Sequence, residues 1–131
     1  MISKTIKQET WDIWLDRQIE YLRSHNFEQL DLANIIEELE DLGREQRNAC
    51  KSFCRQIIVH LLLIDYWHEQ KQTRNHWRAE VASFQSDLQD RLTTNYQNYL
   101  QENLQAIYHQ SLKIVQRKTE LSDRFPENCP Y

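Results

Sequence analysis

The fold of this chain is decided by residues Asp31–Glu69, which read DLANIIEELEDLGREQRNACKSFCRQIIVHLLLIDYWHE without a proline. Apolar or small residues, with the polar Gln46 among them, recur along it at intervals of three and four: Leu32, Ile35, Leu39, Leu42, Gln46, Ala49, Phe53, Ile57, Leu61 and Ile64. This period is typical of an amphipathic helix with one face toward a core. At about 1.5 Å per residue, the stretch predicts a rod of roughly 58 Å, which other helices must cover.

The composition indicates an all-α protein of one domain. One glycine and two prolines among 131 residues are too few for the turns of a sheet protein. The length is that of a single domain, which we expect to cover residues 1–131. A net charge of −4 does not provide the basic footprint that nonspecific nucleic-acid binding requires, although it allows a local basic patch.

The sequence also predicts a cytoplasmic protein without a membrane partner. Its longest apolar run, Ile57–Ile64, has eight residues and is too short to cross a bilayer. The N-terminus, Met1-Ile2-Ser3-Lys4, does not begin a signal peptide. Three cysteines at irregular spacing indicate reduced thiols, as in a cytoplasmic compartment.

Three further helices and two irregular ends are predicted around the central helix. Residues 1–8 are polar, and we expect them to fray, while the tail of about 119–131 contains both prolines and should be irregular. The boundary signals are Thr10, Asn75 and the Thr94–Gln97 capping box at helix starts, and His25-Asn26 and Lys118 at helix ends. We therefore predict a bundle of about four helices built along one central helix at about 31–69.

Gly43 is the weak point of the predicted central helix, because glycine costs about 1 kcal/mol relative to alanine inside a helix. Two alternatives are that it ends the helix and splits the rod into a hairpin, or that it produces a kink. Against a split, the apolar period continues from Leu42 to Ala49, and residues 44–47 are helix formers rather than loop residues. We predict one helix that is at most kinked, with Gly43 inside it.

The densest run of charge lies at residues 37–41, Glu-Glu-Leu-Glu-Asp. If Leu39 and Leu42 face the core, then Glu37, Glu40 and Asp41 point outward. Such a face can dock a basic partner protein or hold a hard metal ion. It can also simply be solvated, partly neutralised by an i, i+4 pair of Glu40 with Arg44. The functional hypothesis is a protein-interaction surface.

A basic stripe follows on the outer side of the same helix, at Arg44, Arg47, Lys51 and Arg55. These side chains could contact the phosphates of RNA, DNA or a nucleotide. The alternative is a solvated face that follows the acidic one. Segregated charge along one helix would also suit two copies that pair antiparallel, so a homodimer is a further expectation.

Patterns for catalysis or metal binding are missing, so we expect no enzyme activity, no cofactor and no bound metal. Glu38 and His60 are separated by about 33 Å along one helix, so they cannot share a metal unless the helix folds back at Gly43 or a second chain supplies the partner. Cys50 and Cys54 supply two thiols, whereas a zinc site needs about four ligands. His60 lies on the apolar stripe and is best explained as a hydrogen-bonded core residue. A single glycine cannot build a phosphate-binding loop.

An aromatic and basic corner surrounds the connector at residues 70–75. Trp77 lies after the connector, and Tyr66 and Trp67 lie before it. Such corners can stack bases or anchor a protein interface. The alternative is burial at the end of the bundle. We include Trp77 among the expected protein-interaction residues.

The chain resembles a bacterial family, domain of unknown function, family 29. The likeness lies in Trp14-Leu15, Leu32, residues 35–44 (IIEELEDLGR), His60-Leu61-Leu62, His76-Trp77-Arg78, Tyr108 and the ending 126–131 (PENCPY). The resemblance implies a small, all-helical protein in a bacterial cytosol. It implies no activity and no catalytic residues.

These observations favour a non-catalytic protein-interaction or regulatory module that uses a charged helix face. The partner would be a protein with a basic patch, for example a nucleic-acid-handling enzyme. The alternative is an RNA- or DNA-binding accessory protein that uses the basic stripe. A metal-dependent enzyme is a distant third.

Overall fold

The computed structural model of the chain is helical, and it describes residues 11–131 apart from the Lys71 side chain. Its helices are α1 (Trp11–Arg23), α2 (Leu32–Tyr66), α3 (Arg74–Arg91), α4 (Thr94–Glu102) and α5 (Leu104–Thr119). Two 3-10 turns, Phe27–Gln29 and His68–Thr73, flank α2. The described residues contain no strand, which confirms the all-α prediction. The predictions for Thr10 and residues 1–8 lie outside the described residues.

Helix α2 is the central helix that the sequence predicts. It runs over 35 residues, and the backbone of Gly43, which lies inside it, does not adopt a positive φ. At about 1.5 Å per residue its length is roughly 52 Å. It ends at Tyr66 rather than Glu69, because the chain enters a 3-10 turn in which Gln70 leaves the helical region (φ −111°, ψ 52°). The prediction of one helix through Gly43 is confirmed.

The predicted fourth helix is two helices, α4 and α5, which meet at Asn103. The Asn103 side chain donates to the Tyr99 carbonyl oxygen over 2.8 Å, and its backbone (φ −107°, ψ 8°) lies outside the helical region. Asparagine favours such local bonds over a continued helix. The capping residue of α4 is Thr93 rather than Thr94, since the Thr93 hydroxyl accepts from the Tyr96 N–H. The chain after Thr119 is irregular, as predicted.

The chain divides into two compact units, Met1–Arg44 and Glu45–Tyr131, and α2 contributes residues to both. We call them the N-terminal and the C-terminal unit. The single domain over residues 1–131 stays a prediction.

The hydrophobic core lies in the C-terminal unit. Its buried members are Cys50, Ile58, Val59, Leu62, Leu63, Trp77, Leu100, Ile107, Tyr108, Val115 and Phe125. Helix α3 runs antiparallel to this part of α2: Trp77 stacks on Trp67 at 5.7 Å, Phe84 lies 6.3 Å from Phe53, and Arg91 donates to Gln46 over 3.1 Å. From its first turn to its last, α3 thus contacts α2 from the C-terminal end of α2 back to Gln46.

The irregular tail packs on the C-terminal unit. Phe125 is buried, and the Tyr108 hydroxyl donates to the Pro126 carbonyl oxygen. The Tyr131 hydroxyl donates to Asp65 Oδ2 over 2.6 Å. These contacts tie the end of the chain to α2 and α5.

The N-terminal unit is an α1–α2 hairpin with a polar centre. Helix α1 ends in a Schellman motif: the Asn26 N–H donates to the Tyr21 carbonyl oxygen over 2.8 Å, and His25 adopts the left-handed conformation (φ 59°). The residue in the left-handed region is His25, the first residue of the predicted His25-Asn26 helix end. The best-buried side chains of this unit, among the described residues, are Gln18 and Asn34.

Candidate protein-interaction surface

An apolar strip lies exposed on the N-terminal part of α2. We define the apolar strip as Leu32, Ile36, Leu39 and Leu42, which are exposed by 59%, 53%, 62% and 54%. The expectation that Leu39 and Leu42 face a core is therefore wrong. At 100° per residue the four side chains fall on one side of the helix, so they form a continuous surface and not scattered exposures.

The polar centre of the N-terminal unit explains why the apolar strip faces solvent. Asp31 Oδ2 accepts from Trp14 Nε1 over 3.0 Å and from Asn34 Nδ2 over 2.8 Å. The Asp31 N–H donates to Gln18 Oε1 over 2.8 Å. These bonds turn the Asn34 side of α2 toward α1. Leu32 and Leu39 project from the opposite side of the helix, where α1 does not cover them.

Other apolar side chains of the same unit are also exposed. Among the described residues, nine large apolar side chains of the N-terminal unit are exposed, against two, Ile114 and Tyr131, in the C-terminal unit. The five outside the apolar strip are Trp11, Ile13, Ile19, Leu22 and Phe27. Contiguous exposed apolar surface usually marks an interaction site, whereas single exposed residues do not.

The predicted acidic residues are placed differently from expectation. Glu40 is exposed, but Glu37 and Asp41 are half-buried, and neither of these two is a free carboxylate. Arg44 pairs with Asp41, three residues before it, at 2.6 Å, and not with Glu40. The acidic residues therefore place negative charge around the apolar strip. They do not form a row of unpaired carboxylates.

Charge is unevenly divided between the two units. Residues 1–44 contain ten acidic and five basic residues, a net charge of −5. Residues 45–131 contain ten acidic and eleven basic residues, a net charge of +1. The exposed apolar residues thus belong to the acidic part of the chain.

The predicted basic stripe is partly engaged within the protein. Arg44 is held by Asp41, and Arg55 Nη1 donates to Gln110 Oε1 over 3.3 Å. Arg47 and Lys51 are half-buried in the C-terminal unit. Arg47 and Lys51 therefore remain as the candidates for phosphate contact.

Trp77 is a core residue. It is 5% exposed, and its ring lies nearly parallel to that of Trp67, with 5.7 Å between the centroids. A partner cannot reach it without opening the C-terminal unit, so it does not belong to the candidate surface. Burial at the end of the bundle was the alternative that the sequence analysis gave for this aromatic corner, and the stack of Trp77 on Trp67 across the connector agrees with it.

The residues considered for metal binding or catalysis are dispersed. His60 is half-buried, and its Nδ1 lies 2.7 Å from the Gln56 carbonyl oxygen. Its ring packs on Phe84 at 5.6 Å. Within residues 11–131 the structure brings together no group of three His, Cys, Asp or Glu side chains that could hold a metal ion. His60 is therefore hydrogen-bonded, as expected, but it is half-buried and is not a member of the hydrophobic core.

An apolar groove of about 610 Å³ opens on the C-terminal unit. Its walls come mainly from α2 and α3, and Leu92, Leu104 and Tyr131 complete it. The lining residues from the two helices are Cys54, Ile57, Ile58, Leu61, Ala82, Gln85, Ser86, Leu88 and Gln89. Cys54 is its one lining thiol, and burial, then the neighbouring Cys129, raises the pKa of that thiol above its ordinary value. A protonated thiol is a weaker nucleophile than a thiolate.

We expect the protein to lose stability at alkaline pH through its docked tail. Partial burial, and then the hydrogen bond to Asp65, raise the pKa of the Tyr131 hydroxyl, and burial raises the pKa of Tyr108. A folded-state pKa above the unfolded value of about 10 gives stability that is complete below pH 10 and is lost as the pH rises further. Urea unfolding between pH 8 and 11 should show this loss, and Tyr131→Phe should flatten it. An unchanged slope in Tyr131→Phe, or an equal flattening in the control Tyr21→Phe, would contradict the assignment.

The architecture is that of an all-helical protein whose second helix carries both a covered and an uncovered apolar face. A family model described as Domain of unknown function DUF29 matches residues 8–131. The chain therefore belongs to this family, which confirms the resemblance noted from its motifs. No curated protein and no solved structure matches the chain. Among the described residues, no helix is long and apolar enough to span a membrane.

Proposed function

We propose that the protein is a non-catalytic interaction module that binds a partner protein through the apolar strip of its N-terminal unit. The observation that carries this proposal is the exposure of Leu32, Ile36, Leu39 and Leu42 on one side of helix α2. The three free cysteines further support a reducing, cytoplasmic compartment.

The energetics favour a covered apolar strip. Full burial of a leucine or isoleucine side chain contributes about 1.5–3 kcal/mol, so covering a half-exposed one contributes roughly 1 kcal/mol. Four such residues together would supply a large part of the free energy of a micromolar complex, which is about 8 kcal/mol. The aromatic residue Trp11, exposed in the same unit, is of a type that often anchors interfaces.

The test is capture of a partner by tagged full-length protein from a lysate of the cells that naturally produce it. A charge in the apolar strip should be costly, so we expect Leu39→Glu to reduce the captured partner at least about tenfold. The matched control is Ile114→Glu, which places the same charge on an exposed apolar residue of the C-terminal unit and should leave capture unchanged. Equal capture by wild type and Leu39→Glu would contradict the proposal.

Nucleic-acid binding by the basic stripe is the second candidate. It is favoured by Arg117 and Lys118, which place two more cations in the last turn of α5, on the unit that holds Arg47 and Lys51. The same protein samples decide between the two candidates. Nonspecific RNA binding at physiological salt is only micromolar or weaker. A nanomolar RNA complex would therefore support nucleic-acid binding over the interaction module, provided that the double variant Arg47→Glu/Lys51→Glu loses the complex and Leu39→Glu keeps it.

A further inference from the structure

We infer that the occupant of the apolar strip is an amphipathic helix of another protein, with Lys or Arg residues along its edges, lying along α2. This inference rests on the proposed function and adds the class of partner. It follows from what covers the same helix elsewhere, from the length of the uncovered part and from the distribution of charge.

The C-terminal unit contains an example of the proposed contact. There the apolar residues of α2 continue at three- and four-residue intervals through Cys50, Phe53 and Ile57, and the antiparallel helix α3 contacts this part of α2. Phe84 of α3 lies 6.3 Å from Phe53. Helix α3 ends at Arg91, and Leu92 turns to an extended conformation (φ −77°, ψ 123°). The α2 surface in the C-terminal unit thus binds a helix, which is the shape we assign to the partner of the apolar strip.

The length of the apolar strip sets the size of the bound segment. Leu32 to Leu42 spans ten helical positions, or about 15 Å at 1.5 Å per residue. A partner helix of about three to four turns, with apolar residues at i, i+3 or i+4, and i+7, would match it.

The charge of the N-terminal unit sets the chemistry of the partner's edges. Residues 1–44 carry a net charge of −5, and the exposed Glu40 lies one turn after Ile36, at the border of the apolar strip. A basic helix is attracted to this surface, whereas a second copy would bring a second acidic unit against it. Arg91 illustrates the arrangement: its guanidinium lies 5.8 Å from the centre of the Phe53 ring while its Nη1 bonds Gln46.

The experiment measures binding of the full-length chain to three labelled peptides of equal length by fluorescence anisotropy. The first is an amphipathic helix with leucines at i, i+3, i+7 and i+10 and with Lys and Arg at its edges. The second has Glu in place of Lys and Arg, and the third is a scrambled form of the first. We expect the first to bind at least tenfold more tightly than the other two.

Two protein variants separate apolar docking from simple charge attraction. Leu39→Glu makes the N-terminal unit more acidic, so it would strengthen a purely electrostatic complex. We expect it instead to weaken binding of the first peptide at least tenfold, while the control Ile114→Glu leaves binding unchanged. Stronger or equal binding by Leu39→Glu, or equal binding of the basic and acidic peptides, would overturn the inference.

The remaining outcomes distinguish the inference from the proposed function. A dimer in sedimentation equilibrium that Leu39→Glu dissociates would make a second copy the occupant and overturn the basic-helix inference. Capture of a cellular partner that depends on Leu39, without binding of any peptide, would overturn the inference and leave the interaction module standing. Unaltered capture by Leu39→Glu would remove the interaction module itself.

Discussion

Replacement of Leu62 by alanine should lower the free energy of unfolding by about 2–5 kcal/mol. The Leu62 side chain is fully buried in the core of the C-terminal unit, where Leu63, Ile107 and Tyr108 are also fully buried. Truncation removes apolar atoms from the core and leaves a cavity that the surrounding helices refill only in part. Urea unfolding followed by circular dichroism at 222 nm measures the difference.

Leu39→Ala is the matched control, because it makes the same chemical change on the same helix. Its side chain is mostly exposed, so we expect a change of no more than about 0.5 kcal/mol. A loss in Leu39→Ala as large as that in Leu62→Ala would mean that the apolar strip is covered within the isolated protein. That result would remove the basis of the proposed interaction surface.

Gly43→Pro should destabilise the protein by about 3 kcal/mol or more. Gly43 lies inside α2, so a proline there removes one backbone hydrogen bond and its ring clashes with the carbonyl of Leu39. Gly43→Ala should have the opposite effect and stabilise by about 0.5–1 kcal/mol, because its backbone φ is not positive and alanine fits a helix better than glycine. Thermal and urea unfolding of both variants test the continuity of α2.

Thr94→Pro is the control for the introduction of proline. Thr94 is the first residue of α4, a position at which proline is tolerated because its N–H has no partner within the helix. We expect Thr94→Pro to change the stability far less than Gly43→Pro. A stabilised Gly43→Pro together with a destabilised Gly43→Ala would instead indicate that the helix is interrupted at this residue in solution.

The sequence alone determined the helical class and the continuity of the central helix through Gly43. The three- and four-residue period through Leu42 and Ala49, and the helix formers after Gly43, outweighed the cost of one glycine, and α2 is continuous there. Local signals determine such features because the backbone hydrogen bonds of a helix are made within the segment itself. The family motifs likewise pointed to the right family but carried no function.

Local signals were weaker at helix ends. The interruption at Asn103 and the shift of the α4 cap from Thr94 to Thr93 depend on single side-chain bonds to the backbone. Several neighbouring polar residues could have made such bonds, so the sequence could not identify which one would.

Only the tertiary structure decided which side of α2 is covered. Periodicity shows that Leu32, Leu39 and Leu42 share a face with Phe53 and Ile57, but it does not show where the covering helix ends. In the C-terminal unit, α3 covers that face as far as Gln46, where Arg91 meets it. In the N-terminal unit, hydrogen bonds of Asp31 with Trp14, Gln18 and Asn34 bring the polar side of α2 against α1. The apolar strip and the burial of Trp77 both follow from long-range contacts between segments, which a pattern within one segment does not contain.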